Sequence, residues 1–115
     1  MYLLVIILNK EEHLDDILQT FLEVGITDAT VVDSQSMGNV LAFDVPIFAG
    51  LKYQLDGSRP YSKMIFAISE DLEAVEYLTK ILEDMGINVE EPGVMRIMTL
   101  KLESVHGKPE ELDFE

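Results

Sequence analysis

Leu14-Asp15-Asp16-Ile17-Leu18-Gln19-Thr20-Phe21-Leu22-Glu23-Val24-Gly25-Ile26-Thr27 decides the fold, because it is one half of a pattern that occurs twice. Leu14, Ile17, Leu18, Phe21 and Leu22 recur at the spacing of one helical face, and Glu11, Glu12, Asp15 and Asp16 lie in the first turns, where carboxylates suit the helix dipole. Gly25 is placed as a left-handed cap. Ile26 to Ser36, with Thr27, Thr30, Val31 and Val32, carries the β-branched residues of a strand. The second copy opens at Ser69, expected to cap a helix with Glu70 and Asp71 in its first turn and Leu72, Val75, Leu78, Leu82 and Met85 on its apolar face. Gly86-Ile87 repeats the exit, and Val94 to Glu103 supplies its strand.

Working outward, residues 1–9 form an apolar run of strand length, and Tyr61 to Ser69, after the turn signal Asp56-Gly57-Ser58-Arg59-Pro60, predicts another strand. The order β-α-β-β-α-β predicts an α+β ferredoxin-like sandwich: an antiparallel four-stranded sheet with two helices on one face. Strands 1 and 4 carry apolar residues at consecutive positions, as in Val94, Met95, Ile97, Met98, Leu100 and Leu102, where a sheet with one wet face should alternate. Burial of the second face between copies explains this, and three-fold closure is the expectation by analogy with other sandwiches of this kind.

The 115 residues suffice for one domain, expected over residues 1–107, followed by an acidic tail over 108–115. A formal net charge of −14, from 22 acidic and 8 basic residues, disfavours a phosphate backbone as partner, so no nucleic-acid binding is expected. The chain has no Cys, hence no disulfide framework and no thiolate chemistry. Met1 to Leu8 is too short to span a bilayer, lacks a preceding basic region and runs into a charged helix, so a buried strand, no membrane insertion and a cytoplasmic location are expected.

Candidate chemistry is sparse. His13 and His106 have no ligand spacing around them, and the carboxylates fit solvated helix faces. No Gly-rich phosphate loop of a known type is present; the nearest approach is Glu91-Pro92-Gly93-Val94-Met95-Arg96, in which Arg96 could meet a phosphate bidentately or pair with the acidic surface. No nucleophile, base and oxyanion site can be assembled, so no enzyme is expected. The connection from Gly38 to Pro60 differs, because Val40, Leu41, Phe43, Val45, Ile47, Phe48, Leu51 and Tyr53 are too apolar to be left free in water. Without helical or strand spacing over Pro46 to Tyr53, it is expected to be a projecting loop. Either its first half folds back as a hairpin extension of strands 2 and 3 and packs on a neighbouring copy, or it docks on a partner through Phe43, Ile47, Phe48, Leu51 and Tyr53.

Several of these stretches together resemble the PII signal-transduction family, trimeric ferredoxin-like regulators of nitrogen and carbon metabolism. Leu14-Asp15-Asp16-Ile17 through Leu22 to Thr27 is similar to that family's first helix and its exit. Thr30-Val31-Val32 followed by Met37-Gly38 is similar to its second strand and the Gly that opens its T-loop, and Phe48-Ala49-Gly50-Leu51-Lys52-Tyr53 to the T-loop's Tyr-Arg-Gly-Ala-Glu-Tyr. Lys63 to Ser69 with Glu70-Asp71-Leu72 resembles the third strand and second helix start, so the likeness covers roughly residues 1–103.

The resemblance implies a T-loop over residues 37–60 that engages a target enzyme, transporter or regulator. It also implies a small effector, an adenine nucleotide being the first candidate cofactor, in a cleft between subunits near Gly38, Gly93 and Arg96. The departures qualify this. Val40 and Leu41 stand where the family has Gln and Lys, so binding of ATP with magnesium and 2-oxoglutarate is expected to be weak or absent. Phe48 replaces the modified tyrosine and offers no hydroxyl. The family's Gly-Asp-Gly-Lys cradle becomes Gly93-Val94-Met95-Arg96, and Ser104-Val105-His106-Gly107 stands near the family's terminal Arg pair. A CutA-like carrier of a small ligand or divalent cation is the alternative, favoured by the acidity but without a ligand motif.

Overall fold

A computed structural model describes residues 1–51 and 62–112. The elements run β1 (Tyr2–Leu8), α1 (Leu14–Glu23), β2 (Ala29–Ser34), α2 (Met37–Asp44), β3 (Ser62–Ser69), α3 (Leu72–Asp84) and β4 (Met95–Lys101), with single 3-10 turns at Glu11–His13 and Pro46–Phe48. The strands form one antiparallel sheet in the order β2-β3-β1-β4. This is an α+β architecture consistent with a ferredoxin-like sandwich.

One face of the sheet carries α1 and α3. Leu4, Ile6 and Leu8 of β1, Ile65 and Ala67 of β3 and Met95 of β4 join Ile17 and Phe21 of α1 and Val75, Leu78 and Leu82 of α3 in a single core. Register aligns these rows: Ile6 lies opposite both Ile65 and Ile97, and Leu4 opposite Ala67. The helical spacing held for the centres of both helices but not for their ends, since Leu22, Leu72 and Met85 are exposed. Thr20 is buried instead, and its hydroxyl donates to the Asp16 carbonyl (2.7 Å), which satisfies it within the helix.

Both helices end alike. The N–H of Gly25 donates to the Leu22 carbonyl (3.2 Å) and that of Ile26 to the Phe21 carbonyl (2.8 Å); Gly86 and Ile87 repeat this on Glu83 (2.9 Å) and Leu82 (2.9 Å). These are Schellman closures, which require a left-handed residue at the glycine; φ is +82° at Gly25 and +85° at Gly86. The ensuing Ile26 and Ile87 are buried against Phe21 and Leu82 in the core, so the Gly-Ile exit both stops the helix and starts the next packing contact. A Cβ at either glycine would meet no atom within 4 Å. Gly25→Ala and Gly86→Ala are therefore expected to cost only the backbone term, about 1–2 kcal/mol each, and to add in the double variant because the sites are independent. Urea denaturation checks this; a single substitution costing as much as a core truncation contradicts it.

Three local expectations are corrected. Ser69 does not cap α3: Asp71 does, accepting from Glu73 N–H (2.9 Å), while the Ser69 hydroxyl bonds the backbone of Asp71 (3.0 and 3.2 Å) and shapes the entry. β2 begins at Ala29, not Ile26, because Ile26 is committed to closing α1. The segment after β2 is not a bare loop over its first part. Ser36 caps a helix, accepting from Asn39 N–H (3.2 Å), and α2 runs to Asp44. It stops there because Pro46 disfavours helical backbone at Val45, which is extended (φ −115°, ψ 109°); Pro46 then opens a 3-10 turn. The expected turn over Asp56 to Pro60, the start of β3 at Tyr61, and Tyr53 lie outside the described residues.

Candidate functional site

The sheet face away from α1 and α3 follows from the same register. Leu3, Val5 and Ile7 of β1 line up with Ile68, Phe66 and Met64 of β3 and with Leu100, Met98 and Arg96 of β4, and Val32 of β2 lies opposite Met64. Apart from Arg96, strands β1, β3 and β4 place no ionisable residue on this face. Most of it is half-exposed, with Val32, Phe66 and Leu100 open to solvent. At one corner Ser62 is buried and shares a hydrogen bond with Ser34 (2.8 Å). A face this apolar and this open is unusual for a protein that stays alone in water.

The second apolar surface is the connection after β2. Met37 is 79% exposed and Ile47 83%, and Val40, Phe43 and Phe48 are also exposed, while Leu51 is half-buried and Ala42 buried. Residues 37–51 hold Asp44 as their one charged side chain. The stretch is apolar on all sides of α2, which explains why no single-face periodicity marked it as a helix.

The residues expected to contact an effector do not come together within one chain. Gly38 is the second residue of α2, just beyond edge strand β2. Gly93, at φ +84°, sits in the turn before β4, the other edge strand. That turn is held by Val94 N–H on the Glu91 carbonyl (3.3 Å) and by Asn9 N–H on the Val94 carbonyl (3.0 Å). Arg96 lies on the apolar sheet face opposite Ile7, exposed, with no ion pair among the described residues. Gly38 and the Gly93 turn share one end of the sheet, yet β2 and β4 are three strand spacings apart, roughly 14 Å. One ligand touching both would need a second copy of the chain or a long reach.

The remaining charged features are modest. Lys63 on β3 pairs with Asp33 on β2, a hydrogen bond and ion pair that raise the lysine's pKa, with Glu11 adding to it. A cleft of about 400 Å³ lies at the opposite end of the sheet from the Gly93 turn, with Met1, Val24 and Ile68 against Asp28, Glu70 and Asp71, and Pro109 of the tail beside them. Sequence reasoning missed it, since its walls come from both termini and two helix ends and no local motif marks them. Among the described residues no three His, Asp or Glu side chains converge as metal ligands, and no helix is long and apolar enough to cross a membrane. No protein-family model matches the chain, and no curated protein matches it in sequence.

Proposed function

We propose that this chain is a non-enzymatic regulatory module of the PII type, which assembles as a homotrimer through its apolar sheet face and docks on a target protein through the connection between β2 and β3. The observation that carries this is the exposure of Met37, Phe43, Ile47 and Phe48 on one connection with a single charged residue among its described positions. Apolar groups held out in water gain about 25 cal/mol per Å² when a partner covers them. The wide separation of Gly38 from Gly93 and Arg96 fits an effector cleft between copies, where one edge of the sheet meets the other edge of a neighbour; a phosphate-bearing effector such as an adenine nucleotide is the first candidate there. The target is an enzyme, transporter or regulator of the cytoplasm.

The loop decides the docking half of this reading. Ile47→Ala and Phe48→Ala are expected to move stability by no more than about 0.5 kcal/mol, the usual range for exposed positions, while abolishing capture of a target from cell extract. A marked drop in melting temperature, together with pull-downs that recover nothing loop-dependent, shows that these side chains are structural.

A further inference from the structure

The last backbone contact of β4 with β1 is made just past the strand, where the Leu102 N–H donates to the Met1 carbonyl (3.0 Å). From Glu103 to Leu112 the chain is exposed at every residue and adds nothing to the core, and no backbone hydrogen bond ties it to another described residue. It does not run off into solvent, however. Gly107 stands at φ +96°, a conformation that residues with a side chain rarely adopt, and two residues on Pro109 lies against the cleft at the end of the sheet, beside Val24, Ile68 and Ala74. The segment therefore crosses from edge strand β4 to the exit of α1 and the first turn of α3. Charge works against this closure. The segment carries Glu103, Glu110 and Glu111 against Lys108, and the cleft it reaches already holds Asp28, Glu70 and Asp71. What favours closure is one proline ring on an apolar wall, with Lys108 beside it in the chain.

We infer that residues 103–112 are a strap that opens and closes this cleft with ionic strength, turning at Gly107 and seated by Pro109. Carboxylates outnumber the single ammonium, so the net charge interaction between strap and cleft is repulsive. That repulsion reaches about 30 Å at 0.01 M salt and about 10 Å at 0.1 M, whereas the contact of the proline ring is not screened. Low ionic strength therefore lifts the strap and salt lays it down. The strap needs neither the assembly nor the docking proposed above, because the cleft is walled by one chain and lies at the other end of the sheet from the Gly93 turn.

The chain has no cysteine, so a nitroxide attached to Leu112→Cys, at an exposed position, labels the strap alone. The test is paramagnetic broadening of the Val24, Thr27 and Ala74 amide signals in the full chain, from about 10 to 300 mM sodium chloride. Broadening is expected to grow about twofold or more across that range as the carboxylates are screened. Glu110→Gln combined with Glu111→Gln is expected to bring the low-salt broadening up to the high-salt level, and Pro109→Gly to remove most of it at every concentration. Neither change touches the core, so the melting temperature is expected to stay within about 2 °C of the unchanged chain. No broadening at any salt concentration overturns the strap. Broadening that ignores both salt and the two glutamates shows fixed packing and overturns the switch, and broadening that falls with salt gives closure to Lys108 and overturns the repulsive balance. Broadening found only between spin-labelled and isotope-labelled copies in a mixture overturns the inference too, since the strap acts within one chain.

Discussion

Phe66→Asp is expected to leave a folded monomer by breaking the assembly proposed above, whereas Ile65→Asp, one residue earlier, is expected to unfold the chain. The two side chains leave β3 on opposite faces. Phe66 is 36% exposed in the single chain and lies opposite Val5 and Thr30 on the open face. Ile65 is fully buried opposite Ile6, beneath α1 and α3. A carboxylate at position 66 stays hydrated in the monomer and is stranded only when copies close over it. An unpaired buried charge costs about 3–5 kcal/mol, so the dissociation constant rises by more than about a hundredfold. A carboxylate at position 65 costs a similar amount inside the core beneath α1 and α3, a large share of the 5–15 kcal/mol typical of a domain. Light scattering and circular dichroism separate the outcomes. A Phe66→Asp protein that keeps the oligomeric state of the unchanged chain, or an unchanged chain that is already monomeric at micromolar concentration, removes the open face as an assembly surface.

Phe21→Ala should have the largest effect of any single truncation on the fold itself, a loss of about 3–5 kcal/mol, with a fall in melting temperature of roughly 10–20 °C. Phe21 is the largest of the fully buried side chains among the described residues, and its carbonyl also receives the Ile26 N–H that closes α1. Truncation empties a volume bounded by the sheet on one side and α3 on the other, neither of which can collapse into it without breaking its own register. The neighbouring Leu22→Ala removes an exposed side chain and is expected to change stability by less than about 1 kcal/mol. Equal losses at the two positions contradict the placement of the helical face.

Much of this architecture was legible because it is encoded locally. A helix centre declares itself through i, i+3, i+4 spacing, and Gly25-Ile26 and Gly86-Ile87 through the need for a left-handed residue followed by an apolar one, so α1, α3, the four strands and most of the core are legible in the sequence. Consecutive apolar residues on β1 and β4 likewise announced two apolar faces. The misread ends have local causes too: Leu22, Leu72 and Met85, in the last or first turns of their helices, are exposed, and Ser69 lost the cap to Asp71, two residues closer to the first helical N–H.

Other properties exist only once the chain is closed. α2 was hidden because its side chains are apolar all round, so its helicity shows in the cap at Ser36 and the stop at Val45-Pro46 but not in any periodicity. Alternation along a strand says that two faces differ but not which residues of other strands share them, and a one-residue slip in register would exchange the faces entirely. The pairing of β1 with both β3 and β4 therefore decides that Arg96 stands opposite Ile7 on the open face, and that Phe66 and not Ile65 faces outward. It decides as well that Gly38 and Gly93, plausible partners along the chain, end at opposite edges of the sheet, and that the cleft beside Met1 and Pro109 forms from residues at the two ends of the sequence. Spacing along the chain carries the physics of single helices and strands; neighbourhood across the sheet is set by hydrogen-bond register between segments tens of residues apart.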